Sequence, residues 1–247
     1  MWISVAALFF TALLAGLAVF LTPNIKEENF KLALVFAGSY LFSITIIHII
    51  PELFYESFNP SLIGLFLLGG FFLQFFLELM TSGVEHGHMH HLPSEKDSHD
   101  FSAFFLLAGL CLHSIMEGAL LAHPSELHNH EFPTGLLFGI ILHKMPAAFA
   151  LMSILLVHVK SRTKAAAYLV IFALASPAGL IFSDYLTNAK AITSNLSSII
   201  FAVVSGNFLK ISTTILFESG SGHRFNFNKM IVSGLGALAA IAVEFLH

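Results

Sequence analysis

Long apolar runs separated by short polar segments make up most of the sequence. Each run is about 20 residues long, which is the length that an α-helix needs to cross the hydrocarbon core of a bilayer. The pattern therefore predicts an all-α integral membrane protein, with a single transmembrane domain over residues 1–247 and eight transmembrane helices. The predicted spans are residues 2–22, 32–57, 61–82, 101–123, 134–159, 165–186, 195–217 and 229–246.

The composition supports this class and excludes several others. Hydrophobic residues make up 56% of the chain and charged residues only 11%, whereas a soluble domain carries roughly 25% charged residues. A net charge of −4 without a basic cluster gives no reason to expect nucleic-acid binding. The single cysteine, Cys111, excludes an intramolecular disulfide framework and a Cys-rich zinc site. The first apolar run lacks a basic segment before it, so we interpret it as a span rather than a signal peptide.

The Lys and Arg residues of the polar segments indicate the direction of the spans. The odd-numbered segments together hold eight of these residues, and the even-numbered segments hold only Lys190. Because cytoplasmic loops are enriched in Lys and Arg, we expect the odd segments to be cytoplasmic and both termini to be extracytoplasmic. Such a chain is expected to be a multi-pass protein of a cell membrane, either plasma or inner, with the lipid bilayer as its surroundings.

Two of the polar segments are rich in histidine. Residues 83–100 form the segment between spans 3 and 4, which is predicted to be a cytoplasmic loop, and the next segment is predicted to be external. Short His-rich tracts favour metal binding, although a flexible polar loop is the alternative interpretation. The candidate metal-capturing residues are His86, His88, His90 and His91 in the first loop and His123, His128 and His130 in the second.

Several polar residues interrupt the apolar runs themselves. A charged residue at the centre of a membrane helix costs roughly 2.5–3.5 kcal/mol on insertion scales and usually marks a pathway or a cofactor. His113 and Glu117 are four residues apart and share a helix face, and His143 lies near the middle of the next span. Imidazole and carboxylate groups are ligands for Zn(II) or Fe(II) rather than for Cu(I), Mg or Ca. A His–Glu hydrogen bond that ties two helices together is the structural alternative.

A short repeat surrounds the two buried histidines. Gly-x-x-Leu-His ends at His113 in span 4 and again at His143 in span 5. Adjacent spans run in opposite directions, so the repeat would be inverted, and inverted repeats with a site near the midplane are a feature of transporters. Pro146 would leave a backbone carbonyl near residue 142 without its helical partner, which predicts an opening of the helix at His143.

Five motifs follow one another along the chain. They are His48-Ile-Ile-Pro51-Glu52 in span 2, His113-Ser114-Ile-Met-Glu117-Gly118 in span 4, His143-Lys144 in span 5, Ser176-Pro177-Ala178-Gly179 in span 6 and Ser205-Gly206-Asn207-Phe208-Leu209 in span 7. In this order they resemble the ZIP (Zrt/Irt-like) family of divalent metal transporters over nearly the whole chain, and in particular the subfamily with the HS…EG and HK motifs.

The resemblance implies a ZIP-like bundle that moves a divalent metal ion into the cytoplasm. The metal, zinc foremost and with Fe²⁺, Mn²⁺, Co²⁺ and Cd²⁺ left open, would be a substrate, and no prosthetic group is implied. A mononuclear site formed by spans 4 and 5 would use His113, Glu117 and His143. The resemblance also implies two helix bundles that move relative to each other. Members of the family are often described as dimers, so a homodimer is compatible with the resemblance. The residues expected along the pathway are His48, Glu52, Ser114 and Asn207.

The chain departs from the family pattern at three positions. Where many members carry Asn, Asp and Glu around a second metal, this chain has Ser114, Lys144 and Ala147. We predict that the Lys144 ammonium takes the place of the second cation and neutralises Glu117. His48 and Glu52, in the outer half of span 2, are interpreted as a relay that admits the metal; stabilisation of a bend at Pro51 is the alternative.

Two other functions fit part of the pattern. Three His/Glu ligands plus water also describe a catalytic zinc, so an intramembrane zinc-dependent hydrolase is the main alternative, although no base or nucleophile is evidently spaced for it. A bis-histidine haem protein is the second alternative. A transporter that has lost its activity is a third.

Overall fold

A computed structural model describes residues 1–21, 26–55, 59–81, 99–122, 134–159, 161–189, 194–218 and 227–246. These residues form helices and short turns, and no strand occurs among them. The helices are α1 (Trp2–Leu17), α2 (Glu27–Ile44), α3 (Ile50–Tyr55), α4 (Pro60–Thr81), α5 (His99–Leu120), α6 (Thr134–His158), α7 (Arg162–Asn188), α8 (Ser194–Glu218) and α9 (Phe227–Leu246).

A π-helical turn, Thr45–Ile49, joins α2 to α3 in one continuous span. Pro51 explains its position, because proline has no N–H to donate and its ring crowds the carbonyl four residues earlier. A wider turn just before the proline relieves this conflict. His48 lies within the π-helical turn, so the local bend determines where its imidazole points.

The predicted all-α membrane architecture is confirmed. In the described part of the chain, seven helical segments are long and apolar enough to cross a membrane, and the shorter apolar stretch Phe104–Leu120 lies within α5. The chain is therefore a multi-pass membrane protein. At the second span, α2 begins at Glu27 rather than at the predicted residue 32. Helix α6 continues through Pro146, so the expected opening of the helix at His143 is not observed.

Two hydrophobic clusters lie one above the other along the bundle. The first includes Leu110, Ala147 and Ala173, and the second includes Leu120, Ile140 and Leu180. Helices α5, α6 and α7 each pass from one cluster to the other, so the residues between the clusters form a layer at middle depth. The polar residues of this layer are His113, Ser114 and Glu117 on α5, His143 and Lys144 on α6 and Ser176 on α7.

Glycines allow two pairs of helices to approach closely. A Cβ atom at Gly118 of α5 would overlap the carbonyl group of Ser176 on α7, and one at Gly179 of α7 would overlap the carbonyl group of Ile115 on α5. The same reciprocal arrangement brings α4 against α8 at Gly70 and Gly206. Small residues at such contacts let membrane helices pack backbone to backbone, which places the polar side chains of α5 and α7 within reach of each other.

Gly179→Ala is expected to destabilise the protein by about 1–3 kcal/mol, the usual cost of overpacking. The added methyl group would push α7 away from the Ile115 carbonyl, since a backbone group cannot rotate aside. Thermal unfolding of the purified protein measures the effect. Gly64→Ala is the matched control, because nothing lies within 4 Å of a Cβ atom there. Equal unfolding temperatures for the two variants would contradict the close contact.

Candidate metal centre

Helix α5 presents His113 and Glu117 on one face. They are one helical turn apart, and both are buried, with relative exposures of 4% and 1%. Nε2 of His113 lies 2.9 Å from Oε1 of Glu117. Nε2 of His113 has no well-aligned hydrogen-bond partner among the described residues. This nitrogen and the carboxylate are therefore arranged as ligands that can converge on a third atom.

Helix α6 contributes His143 to the same place. Its Nε2 lies 3.9 Å from Oε1 of Glu117, and its ring is perpendicular to that of His113, with the ring centroids 5.9 Å apart. One ligand atom from each of His113, Glu117 and His143 lies within 4.8 Å of the other two. In the described part of the chain this is the one group of three His, Cys, Asp or Glu side chains whose ligand atoms all lie this close together. The sequence proposed the same three residues.

Lys144, next to His143, is turned towards α5 and α7. Its Nζ donates hydrogen bonds to Oγ of Ser114 at 2.6 Å and to Oγ of Ser176 at 2.7 Å. It also lies 3.5 Å from Oε2 of Glu117 and 4.3 Å from the centroid of the Phe172 ring. An ammonium group has three N–H donors, and these three oxygens accept them. Glu117 thus has one oxygen beside the two histidines and the other beside the lysine.

Ser176 is a member of this site that the sequence analysis named only within the span 6 motif and not as a site residue. Its hydroxyl donates to the Ser114 carbonyl at 2.8 Å while accepting from Lys144, and the residue is fully buried. The available signal was a serine before a proline in the middle of span 6. Ser114, which we expected along the pathway, accepts a hydrogen bond from Lys144.

Asn207 brings α8 to the edge of the site. Its Nδ2 lies 3.5 Å from Nδ1 of His113 and 3.6 Å from Sδ of Met116. Its Oδ1 is buried and has no hydrogen-bond partner among the described residues. The amide therefore contacts one of the three candidate ligands, His113.

The other candidate residues lie elsewhere. His48 and Glu52 contact each other, and His48 also contacts Glu244 of α9, a residue that the sequence did not single out. Lys210, for which the sequence offered no partner, pairs with Glu78 of α4 through Nζ and Oε2 at 2.7 Å. The loop histidines lie outside the described residues: His86, His88, His90, His91, His123, His128 and His130.

Comparison with known proteins gives a consistent result. Residues 83–243 match the family model described as ZIP Zinc transporter. The zinc transporter ZIP9-A of Xenopus laevis is 27% identical over 179 residues, which cover 69% of this chain and 59% of that protein. The zinc transporter ZIP9 of Micropogonias undulatus is 28% identical over 156 residues, or 61% of this chain and 50% of that protein. The chain thus spans 59% or less of the length of these two curated relatives.

Proposed function

The chain belongs to the ZIP zinc transporter family, and we propose that it carries a divalent transition-metal ion, zinc foremost, across the membrane into the cytoplasm. One observation carries the proposal. Two imidazoles and a carboxylate converge in a buried polar layer between two hydrophobic clusters. A membrane protein keeps such groups at middle depth at a considerable energetic cost, which a passing cation offsets.

The proposed ligands of the metal are His113, Glu117 and His143. Three protein ligands leave a fourth position of a tetrahedral zinc site open for water or an exchanging group. Asn207, which contacts His113, has a buried Oδ1 atom without a hydrogen-bond partner among the described residues, so we propose it as a further oxygen near the metal. An incomplete protein shell favours release, which transport requires and a structural zinc site avoids.

Lys144 is proposed to act as a permanent substitute for a second metal. Its ammonium lies on the far side of Glu117 from the histidines, and Ser114 and Ser176 hold it there. It balances part of the carboxylate charge when no metal is bound. With the ammonium in this place, the site can hold one metal ion rather than two.

The same proposal includes the membrane in which the protein lies, its orientation and its oligomeric state. We place it in a plasma or inner membrane with both termini outside, and the family resemblance favours a homodimer. The histidines of the two loops would capture metal at either face. Iron, manganese, cobalt and cadmium remain further candidate substrates, because the same imidazole and carboxylate ligands accept them.

The rival functions are not favoured. The family and the relatives are described as zinc transporters, which argues against an intramembrane hydrolase. A bis-histidine haem would need a porphyrin between His113 and His143. Oε1 of Glu117 lies there instead, 2.9 Å and 3.9 Å from the two Nε2 atoms.

Zinc uptake into liposomes that contain the purified full-length protein tests the proposal. We expect saturable uptake by the wild type and at least a tenfold lower rate for His143→Ala, since one ligand is worth more than the roughly 1.4 kcal/mol that corresponds to tenfold. His158→Ala is the matched control, because this histidine lies in the last turn of α6, away from His143, and hydrogen-bonds the Ile154 carbonyl.

Two outcomes would overturn the proposal in different ways. Undiminished uptake by His143→Ala would move the metal site away from α6. If neither zinc nor any of the other four metals entered liposomes with the wild-type protein, transport itself would be wrong.

A further inference from the structure

A second group of ligand-type side chains lies where α3 and α9 end. It consists of His48 in the π-helical turn, Glu52 on α3 and Glu244 on α9. Nε2 of His48 lies 3.5 Å from Oε2 of Glu52, and Nδ1 of His48 lies 2.9 Å from Oε1 of Glu244. Both ring nitrogens therefore face a carboxylate, one on the same span and one from the last span.

The three side chains are largely shielded from the surroundings. Their side-chain exposures are 9% for His48, 10% for Glu52 and 13% for Glu244. Oε1 of Glu52 is buried and has no hydrogen-bond partner among the described residues. Burying a carboxylate oxygen without a donor is costly, so the geometry indicates that this oxygen serves a ligand.

Charge favours a cation at this place. The Glu52 carboxylate lies beside one imidazole, and no Lys or Arg side chain within the described residues forms an ion pair with it. A cation would balance this buried carboxylate, and imidazole together with carboxylate selects the transition-metal class.

The two nitrogens of His48 have different roles in such a site. A histidine that ligates a metal through one nitrogen usually donates its other N–H to a carboxylate, which fixes the ring and raises its basicity. The 2.9 Å contact with Glu244 is a hydrogen bond. The 3.5 Å separation from Glu52 is a close approach of charged atoms. This difference assigns Nδ1 to orientation by Glu244, and the proximity of Nε2 to Glu52 makes these two groups the candidate ligands.

We propose that His48 and Glu52 bind a second divalent transition-metal ion, in a site separate from the His113–Glu117–His143 centre, with Glu244 as the residue that positions His48. The site has two protein ligands, so water completes the shell and the ion exchanges readily. It is a staging site for metal at the end of the bundle where α3 and α9 finish. Its occupancy is an equilibrium property and does not depend on transport.

Zinc stoichiometry of the purified full-length protein, measured by equilibrium dialysis, tests this site. Glu52→Gln is expected to lose the equivalent of zinc bound at His48 and Glu52, and Glu117→Gln the equivalent bound at the central site. The double variant should lose both equivalents. Any zinc held by the loop histidines is the same in every variant and cancels in the differences. Asp184→Asn, which removes an acid near the end of α7, is the control and should keep the full complement.

A second pair of variants separates ligation from folding. His48→Gln removes the nitrogen ligand and must lose the same equivalent as Glu52→Gln. Glu244→Gln should keep that equivalent but bind it about 10–100-fold more weakly, as expected when a carboxylate that orients a ligating histidine is removed. Full stoichiometry in folded Glu52→Gln or His48→Gln overturns the proposal. An unchanged zinc affinity in Glu244→Gln would contradict the proposed role of Glu244 in positioning His48.

Discussion

Glu117→Gln is expected to lower zinc uptake at least a hundredfold and to abolish zinc binding at the central site. Oε1 of Glu117 lies between the two histidines, and Oε2 faces Lys144. An amide keeps the size of the side chain but removes the negative charge that both a metal and the ammonium need. The measurements are uptake into liposomes and the zinc stoichiometry of the purified variant.

The same substitution is also expected to destabilise the protein. It leaves the buried Lys144 ammonium without its carboxylate, and removing one partner of a buried ion pair costs about 3–5 kcal/mol. The double variant Glu117→Gln with Lys144→Met should therefore regain much of the lost unfolding temperature but none of the uptake. If the double variant transported zinc, Glu117 would act through charge balance with Lys144 and not as a ligand.

Lys144→Met is expected to bind zinc at least tenfold more tightly than the wild type and to transport it more slowly. The ammonium lies 3.5 Å from the carboxylate that would hold the metal, so lysine and metal compete for the same negative charge. Two unit charges about 4 Å apart interact by roughly 4 kcal/mol at an effective dielectric constant of 20. A tenfold change needs only about 1.4 kcal/mol. Tighter binding slows release, so the maximal uptake rate falls while the zinc affinity rises.

Lys210→Met is the matched control for this experiment. It also removes a largely buried ammonium that pairs with a glutamate, Glu78, but it is not among the side chains around the central site. Zinc affinity should remain at the wild-type value in this variant. Weaker or unchanged zinc binding by Lys144→Met would mean that the lysine does not oppose the metal, and the idea of a substitute second cation would be wrong.

Much of the central site was predictable because its geometry is local. His113 and Glu117 are separated by one turn of a single helix, so their shared face follows from helical periodicity alone. His143 is at a comparable depth in the next span, which the lengths of the two apolar runs indicate. The ligand types, imidazole and carboxylate, then indicate the class of metal without reference to the fold.

The partners that were missed all lie on distant parts of the chain. Ser176 meets Lys144 from 32 residues away, and Glu244 meets His48 from 196 residues away. Helical periodicity predicts which face of a helix a residue occupies, but it does not predict which neighbouring helix packs against that face. Pro146 shows the reverse error, since the local rule predicted an opening of the helix and α6 is continuous through this residue.

The sequence by itself determined that the chain is an all-α membrane protein, which follows from apolar run length, and which side chains could ligate a metal, which follows from local spacing and ligand chemistry. Its motifs indicated the ZIP family by resemblance. Tertiary structure decided which groups meet across helices. The reciprocal glycine contacts of α5 with α7 bring Ser176 to Lys144, and the path of the last span brings Glu244 to His48. These pairings depend on the distance between two packed helices and on the rotation of each helix about its own axis. Packing sums many weak contacts between residues far apart in sequence, so no local pattern encodes it.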